Sequence, residues 1–140
     1  MNKHTEIEAF ARILIECVRD GTIRSCDRHL QGDATDPITK RWREAMCSAR
    51  PEELLKVVIP DIVDATLAYL FGGIDQEVLP LSFTASDNTS VDLSRDGFGE
   101  LSGWFMGQWR AQYSKERFVD DCADLENFFH TDHDDAPRNV

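Results

Sequence analysis

The 140 residues hold 41% hydrophobic and 29% charged side chains, which excludes global disorder and allows one domain with a single core that needs no staple. Fifteen Lys and Arg face 26 Asp and Glu, and the resulting net charge of −11 disfavours nucleic acid and anionic membranes as partners. No apolar run reaches the ~20 residues of a membrane span, and the opening "MNKHTEIEAF" lacks the apolar core of a secretory signal, so a cytoplasmic protein is expected.

Taken in chain order, Thr5 and Glu8 match a capping box, and Ile7, Phe10, Ala11, Leu14 and Val18 recur at helical spacing until Gly21, where the helix is expected to stop. "TIRSCDRHLQG" reads as a second short helix with Ile23, Cys26 and Leu30 on one side. After the loop "GDATDP", Asp36 as N-cap and Pro37 at the first helical position open a helix with Ile38, Trp42, Ala45, Met46 and Ala49 as its buried edge. From Pro51 the longest apolar pattern of the chain predicts a central helix, broken or kinked near Ile59 by Pro60 and ended by Gly72 and Gly73.

The period then changes. "VLPLSFTA" and "SVDLS" alternate apolar and polar residues around "SDNTS", which predicts a β-hairpin lying on the helices, with Pro80 placing its first strand at an edge. "DGFGELSGWFMGQWRAQY" predicts a helix from Gly97 or Phe98, and Ser114 is positioned to cap another through Phe118, Cys122, Leu125 and Phe129. Gly103 and Gly107 lie four apart on one side, a spacing that favours close approach of another backbone. The fold class expected is mostly α (α+β): one helical domain over residues 1–130, with five to six helices and a small hairpin, then an acidic tail over 131–140.

Chemical motifs are sparse. The sequence contains no G-x-S-x-G, Walker loop, complete G-x-G-x-x-G or H-E-x-x-H, and no cofactor is expected. Cys17, Cys26, Cys47 and Cys122 lack zinc-site spacing and read as free, buried thiols. His130, His133, Asp132, Asp134 and Asp135 have metal-ligand chemistry, but in a solvated tail nothing fixes them, and no metal site is expected. His4 and His29 read as surface or capping residues. Asp61 and Asp64 share a helix face; the preferred reading is acids in the first turn after Pro60, complementing the helix dipole. "WRAQYSKERF" interleaves cations with rings, but its half of the chain is too acidic for nucleic acid.

The uneven spread of charge carries the functional expectation. Residues 1–56 hold ten basic and ten acidic side chains, so the whole excess lies downstream. Between Lys56 and Arg95 there is no cation, while Asp61, Asp64, Asp75, Glu77, Asp87 and Asp92 contribute six negative charges. Such a surface accelerates encounter with a basic partner, and Trp104, between the two apolar lines of its helix, is the candidate aromatic anchor. In size, acidity and lack of catalytic motifs the chain looks like bacterial immunity or inhibitor proteins. That resemblance implies a non-enzymatic binder of a basic toxin or nuclease, with Asp61, Asp64, Asp75, Glu77, Asp87, Asp92 and Trp104 as its partner-binding residues. The alternatives are a small hydrolase or transferase using Asp61 and Asp64 or the acids near Asp120, and a homo-oligomer burying the Trp104 face.

Overall fold

The computed structural model describes residues 3–32 and 35–121. It is mostly α with one small antiparallel hairpin, the class expected. The helices are α1 (Lys3–Leu14), α2 (Asp20–Gln31), α3 (Pro37–Ser48), α4 (Pro51–Asp75), α5 (Leu93–Asp96), α6 (Leu101–Trp104) and α7 (Arg110–Tyr113). A π-helical turn over Ile15–Arg19 joins α1 to α2, and a second over Phe105–Trp109 joins α6 to α7. No helix among the described residues is long and apolar enough to cross a membrane.

Gly21 does not stop the first helix, which runs on to Gln31 and ends at Gly32 in the left-handed conformation (φ 76°). Gly21 lies inside α2, where a Cβ would come within 3.0 Å of the Tyr69 ring. The missing side chain lets α2 pack closely on α4. Asp36 and Pro37 open α3 as expected: Asp36 Oδ1 accepts from the Thr39 amide at 3.0 Å and Oδ2 from the Thr39 hydroxyl at 2.7 Å. Trp42 and Ala45 are buried, but Met46 is exposed, and Thr39, absent from the predicted edge, is fully buried with its hydroxyl beside His29 Nδ1 at 2.8 Å.

The predicted break at Pro60 is also absent, for α4 runs unbroken from Pro51 to Asp75 and passes through Gly72 and Gly73. Proline removes the amide that would serve the carbonyl four residues earlier, that of Lys56. That carbonyl instead accepts from Arg117 Nε at 3.1 Å, so a residue far along the chain completes the helix.

The hairpin forms where predicted, with β1 (Ser82–Thr84) paired to β2 (Ser90–Asp92) and Phe83 opposite Val91. Its turn closes through the Ala85 amide to the Thr89 carbonyl at 2.8 Å and Asn88 at φ 67°. Leu93 N donates to Leu81 O and Ser94 Oγ to Ile74 O, which ties hairpin and α5 to the C-terminal end of α4. There Ile74, Leu79 and Leu101 form the core, flanked by Leu70, Phe71, Trp104 and Trp109.

Three expectations for the segment after the hairpin are corrected. The helix predicted from Gly97 or Phe98 starts at Leu101; Phe98 has φ 55° and Gly99 φ 69°, conformations that cannot belong to a right-handed helix. Gly103 and Gly107 are exposed, and among the described residues nothing lies within 4 Å of a Cβ built on either, so no described backbone approaches them. Ser114 does not open a helix: residues 114–120 are irregular, and its hydroxyl accepts from the Glu116 amide at 3.1 Å within the bend. The predicted continuation through Cys122, Leu125 and Phe129, and the tail from 131, lie outside the described residues.

Candidate functional site

Asp61 and Asp64 stand well inside α4 rather than in a first turn, so the helix-dipole reading does not apply to them. Asp61 is 8% exposed, and its carboxylate receives a fork from Arg41 on α3, Nη2 to Oδ1 at 2.6 Å and Nε to Oδ2 at 3.1 Å. Trp42 Nε1 donates to the same Oδ2 at 2.7 Å. Arg41 Nη1 also reaches Asp121 Oδ1 at 3.2 Å. Burial opposes the charge on Arg41, but its hydrogen bonds to Asp61 and Asp121 hold the guanidinium above its ordinary, already high pKa.

Arg110, 5% exposed, makes a second lock. Its Nη1 donates to Asp64 Oδ2 at 2.7 Å, its Nη2 to the Val119 carbonyl at 3.4 Å, and its guanidinium carbon lies 4.3 Å from the centre of the Phe118 ring. Together the two arginines bind α3, α4, α7 and residues 118–121 around a cavity of about 210 Å3, whose wall includes His29, Tyr69 and Met106. Acid/base work needs carboxylates whose environments push their pKa values apart. Here each carboxylate is matched by its own guanidinium, an arrangement that fastens helices together. Among the described residues no three His, Cys, Asp or Glu side chains converge as metal ligands, and the His130/His133 cluster lies outside them.

Asp75, the last residue of α4, also faces inward. It accepts from the Leu101 amide at 2.9 Å, the Ser102 amide at 3.0 Å and the Ser102 hydroxyl at 2.8 Å, capping α6 from 26 positions upstream. Glu100, directly before α6, makes no side-chain cap of its own. Asp61, Asp64 and Asp75 are thus engaged within the molecule, and the structure does not bring the six predicted acids to one face.

The other three lie around the C-terminal end of α4. Glu77 is exposed at φ 59° just beyond the helix. Asp87 is exposed in the hairpin turn; its bonds to the Thr89 amide and hydroxyl hold its carboxyl below the usual range. Asp92 caps α5 by accepting from the Arg95 amide at 3.0 Å. Sequence reasoning missed Asp96 and Glu100, which add charge here; Arg95, the one cation of the segment, is paired with Asp96 at 3.1 Å. The last turn of α4 contains no basic residue, so its negative dipole end adds to the same field.

Trp104 is not the exposed aromatic of this end. It is half-buried on the core, its ring 5.6 Å from that of Trp109. The exposed rings are Phe98, at 78%, and Phe83, at 58%. Phe98 is held in the left-handed region between Gly97 and Gly99, a conformation that costs a bulky L-residue about 1–2 kcal/mol. The signal available in the sequence was "DGFGEL", where a ring between two glycines marks the tip of a tight turn. Compared with known proteins, the chain matches no family model, no curated protein and no solved structure.

Proposed function

We propose that the protein is a non-enzymatic binding module that docks a basic protein partner on the hairpin and α5 end, in the manner of an immunity or inhibitor protein neutralising a toxin or nuclease. The observation that carries this reading is Phe98, a large apolar ring exposed on a strained backbone. Strain and an exposed ring each oppose stability, and backbone strain of this kind clusters at sites of function. Glu77, Asp87, Asp92, Asp96 and Glu100 surround it in sequence, with Arg95 as the single, already paired, cation. In this arrangement the acids speed encounter and Phe98 supplies the desolvated contact that holds the complex. The internal pairing of Asp61 and Asp64 supports contact rather than acid/base chemistry as the working principle.

The test is parallel capture from host lysate on immobilised wild type and Phe98→Ala, each at low and high salt. A stoichiometric basic protein retained by wild type, released by salt and lost from Phe98→Ala is the expected result. Equal retention on both columns would remove Phe98 from the interface, and with it this reading. Charge reversal belongs at Glu77, Asp87 and Glu100, because lysine at Asp61 or Asp64 would oppose a buried arginine and unfold the chain.

A further inference from the structure

Ala65 and Ala68 lie three apart on one face of α4, and their methyl groups are too short to close the cavity of about 210 Å3 between the two arginine locks. Packed interiors hold few voids larger than a water molecule. An apolar cavity of about 150 Å3 takes up a benzene ring. This one is larger, and its wall is polar at two points.

The first is Arg110. Its Nη1 is spent on Asp64, and the opposite edge of the guanidinium, Nε with Nη2, has only the 3.4 Å bond from Nη2 to the Val119 carbonyl. Nε itself is buried and without a partner. On Arg41 the same edge forks Asp61 through both nitrogens, so the edge on Arg110 still calls for an oxygen acceptor. Val119, which that edge faces, lines the cavity together with Arg110. The second is His29, also in the wall. Thr39 Oγ1 gives its proton to Asp36 Oδ2 at 2.7 Å, so its 2.8 Å contact with His29 Nδ1 has the ring nitrogen as donor. In the neutral imidazole the lone pair is then on Nε2, which has no hydrogen-bond partner among the described residues.

We infer that this cavity binds one small, neutral ring compound carrying a hydroxyl group, whose oxygen accepts from Arg110 Nε and whose O–H donates to His29 Nε2. The apolar body of such a ring matches Ile38, Ala65, Ala68 and Met106. Charge excludes the ionic alternatives. The ion pairs around the cavity set Asp61, Asp64 and Asp121 against Arg41 and Arg110, a surplus of one negative charge that disfavours an anion. Arg28, 3.5 Å from the Tyr69 hydroxyl, is exposed and screened by solvent. A cation would have to approach the unanswered edge of the Arg110 guanidinium and be repelled by it. None of these residues belongs to the hairpin or α5, so the inference stands independently of the basic-partner reading.

NMR titration of the full-length chain with phenol, benzene and benzoate tests it. Phenol is expected to shift the Ala65 and Ala68 methyls and the His29 ring saturably, with a Kd of about 1 mM or tighter. Benzene, which answers neither polar group, should bind about tenfold more weakly, and benzoate should not saturate. Ala65→Leu puts a larger side chain into the cavity and should abolish phenol binding while the helical circular dichroism is kept. Arg110→Lys keeps a cation for Asp64 but removes Nε, and should bring phenol down to the affinity of benzene. If either variant fails to fold, the three ligands on the wild-type chain decide. Absence of saturable phenol shifts at these residues, benzene or benzoate binding as tightly as phenol, or undiminished phenol binding by folded Ala65→Leu would overturn the inference.

Discussion

Arg117 Nε donates to the carbonyl of Lys56, the one backbone acceptor that Pro60 leaves without its helical amide. The bond spans 61 positions and lies at a side chain that is 53% exposed, so it is worth no more than an ordinary hydrogen bond, about 1 kcal/mol. Arg117→Met should therefore cost about 1 kcal/mol in urea unfolding. Pro60→Ala restores the missing amide, and in that background Arg117→Met should cost nothing. An unchanged cost would show that Arg117 acts through some other contact.

Asp61 answers three donors at once, two from Arg41 and one from Trp42. Asp61→Ala leaves the partly buried Arg41 guanidinium and the buried Trp42 indole N–H behind it, and the expected loss is about 3 kcal/mol, the lower end for a broken buried pair because Asp121 still holds Arg41. Asp61→Asn keeps an acceptor for Trp42 Nε1 and should lose about half as much. Equal losses for the two variants, read from denaturant midpoints, would place all the stabilisation in the charge.

Asp36 sets a pH dependence of known sign. Burial raises its pKa, but the Thr39 hydroxyl and amide bonds and the charge of His29 outweigh it, so the folded carboxyl sits below its ordinary value. A depressed carboxyl stabilises the fold fully above the unfolded pKa of about 4 and loses that contribution as pH falls through the folded value. Asp36→Ala should cost about 1 kcal/mol at neutral pH. The gap between wild type and variant should shrink as pH drops below about 4. A gap constant with pH would mean that the cap does not depend on ionisation.

Phe98→Gly separates stability from binding. Glycine takes φ 55° without strain, so the variant should gain up to about 1 kcal/mol, while an anchor removed from an interface should cost about 2 kcal/mol or more in affinity. Calorimetric titration with the captured partner and urea unfolding measure the two separately. A stabilised variant that binds as tightly as wild type would leave Phe98 with no role in docking.

Features decided within a few residues were legible in the sequence. The Asp36–Pro37 start follows from one side chain and one ring, and the hairpin follows from alternation around a polar turn. What could not be read were pairings over distance. Spacing along α4 puts Asp61 and Asp64 on one face but gives no sign of Arg41 or Arg110, 20 and 46 positions away. Gly21 and Pro60 punctuate a sequence locally, yet each sits mid-helix because a remote residue, Tyr69 or Arg117, completes the site. The aromatics divide for the same reason: Trp104 packs on Trp109 and the core, while Phe98 stands exposed between Gly97 and Gly99 where the spacing predicts a helix start at Gly97 or Phe98.

The two π turns fix how the chain can change in length. A π turn takes one residue more per circuit than an α turn, so the helix beyond it is rotated by about 100° relative to an uninterrupted rod. Ile13 and Leu14 meet the core just before the first turn, and Val18 is buried within it. Deleting one residue of Ile15–Arg19 would convert the turn to ordinary α-helix and leave Ile13 and Leu14 directed at Ile74 and Leu79, whereas the same deletion within the α-helical part of α2 would carry them around the axis by about 100°. At this point of the fold the chain can lose one residue without turning one helix against the other, a tolerance that the α-helical stretches on either side do not have.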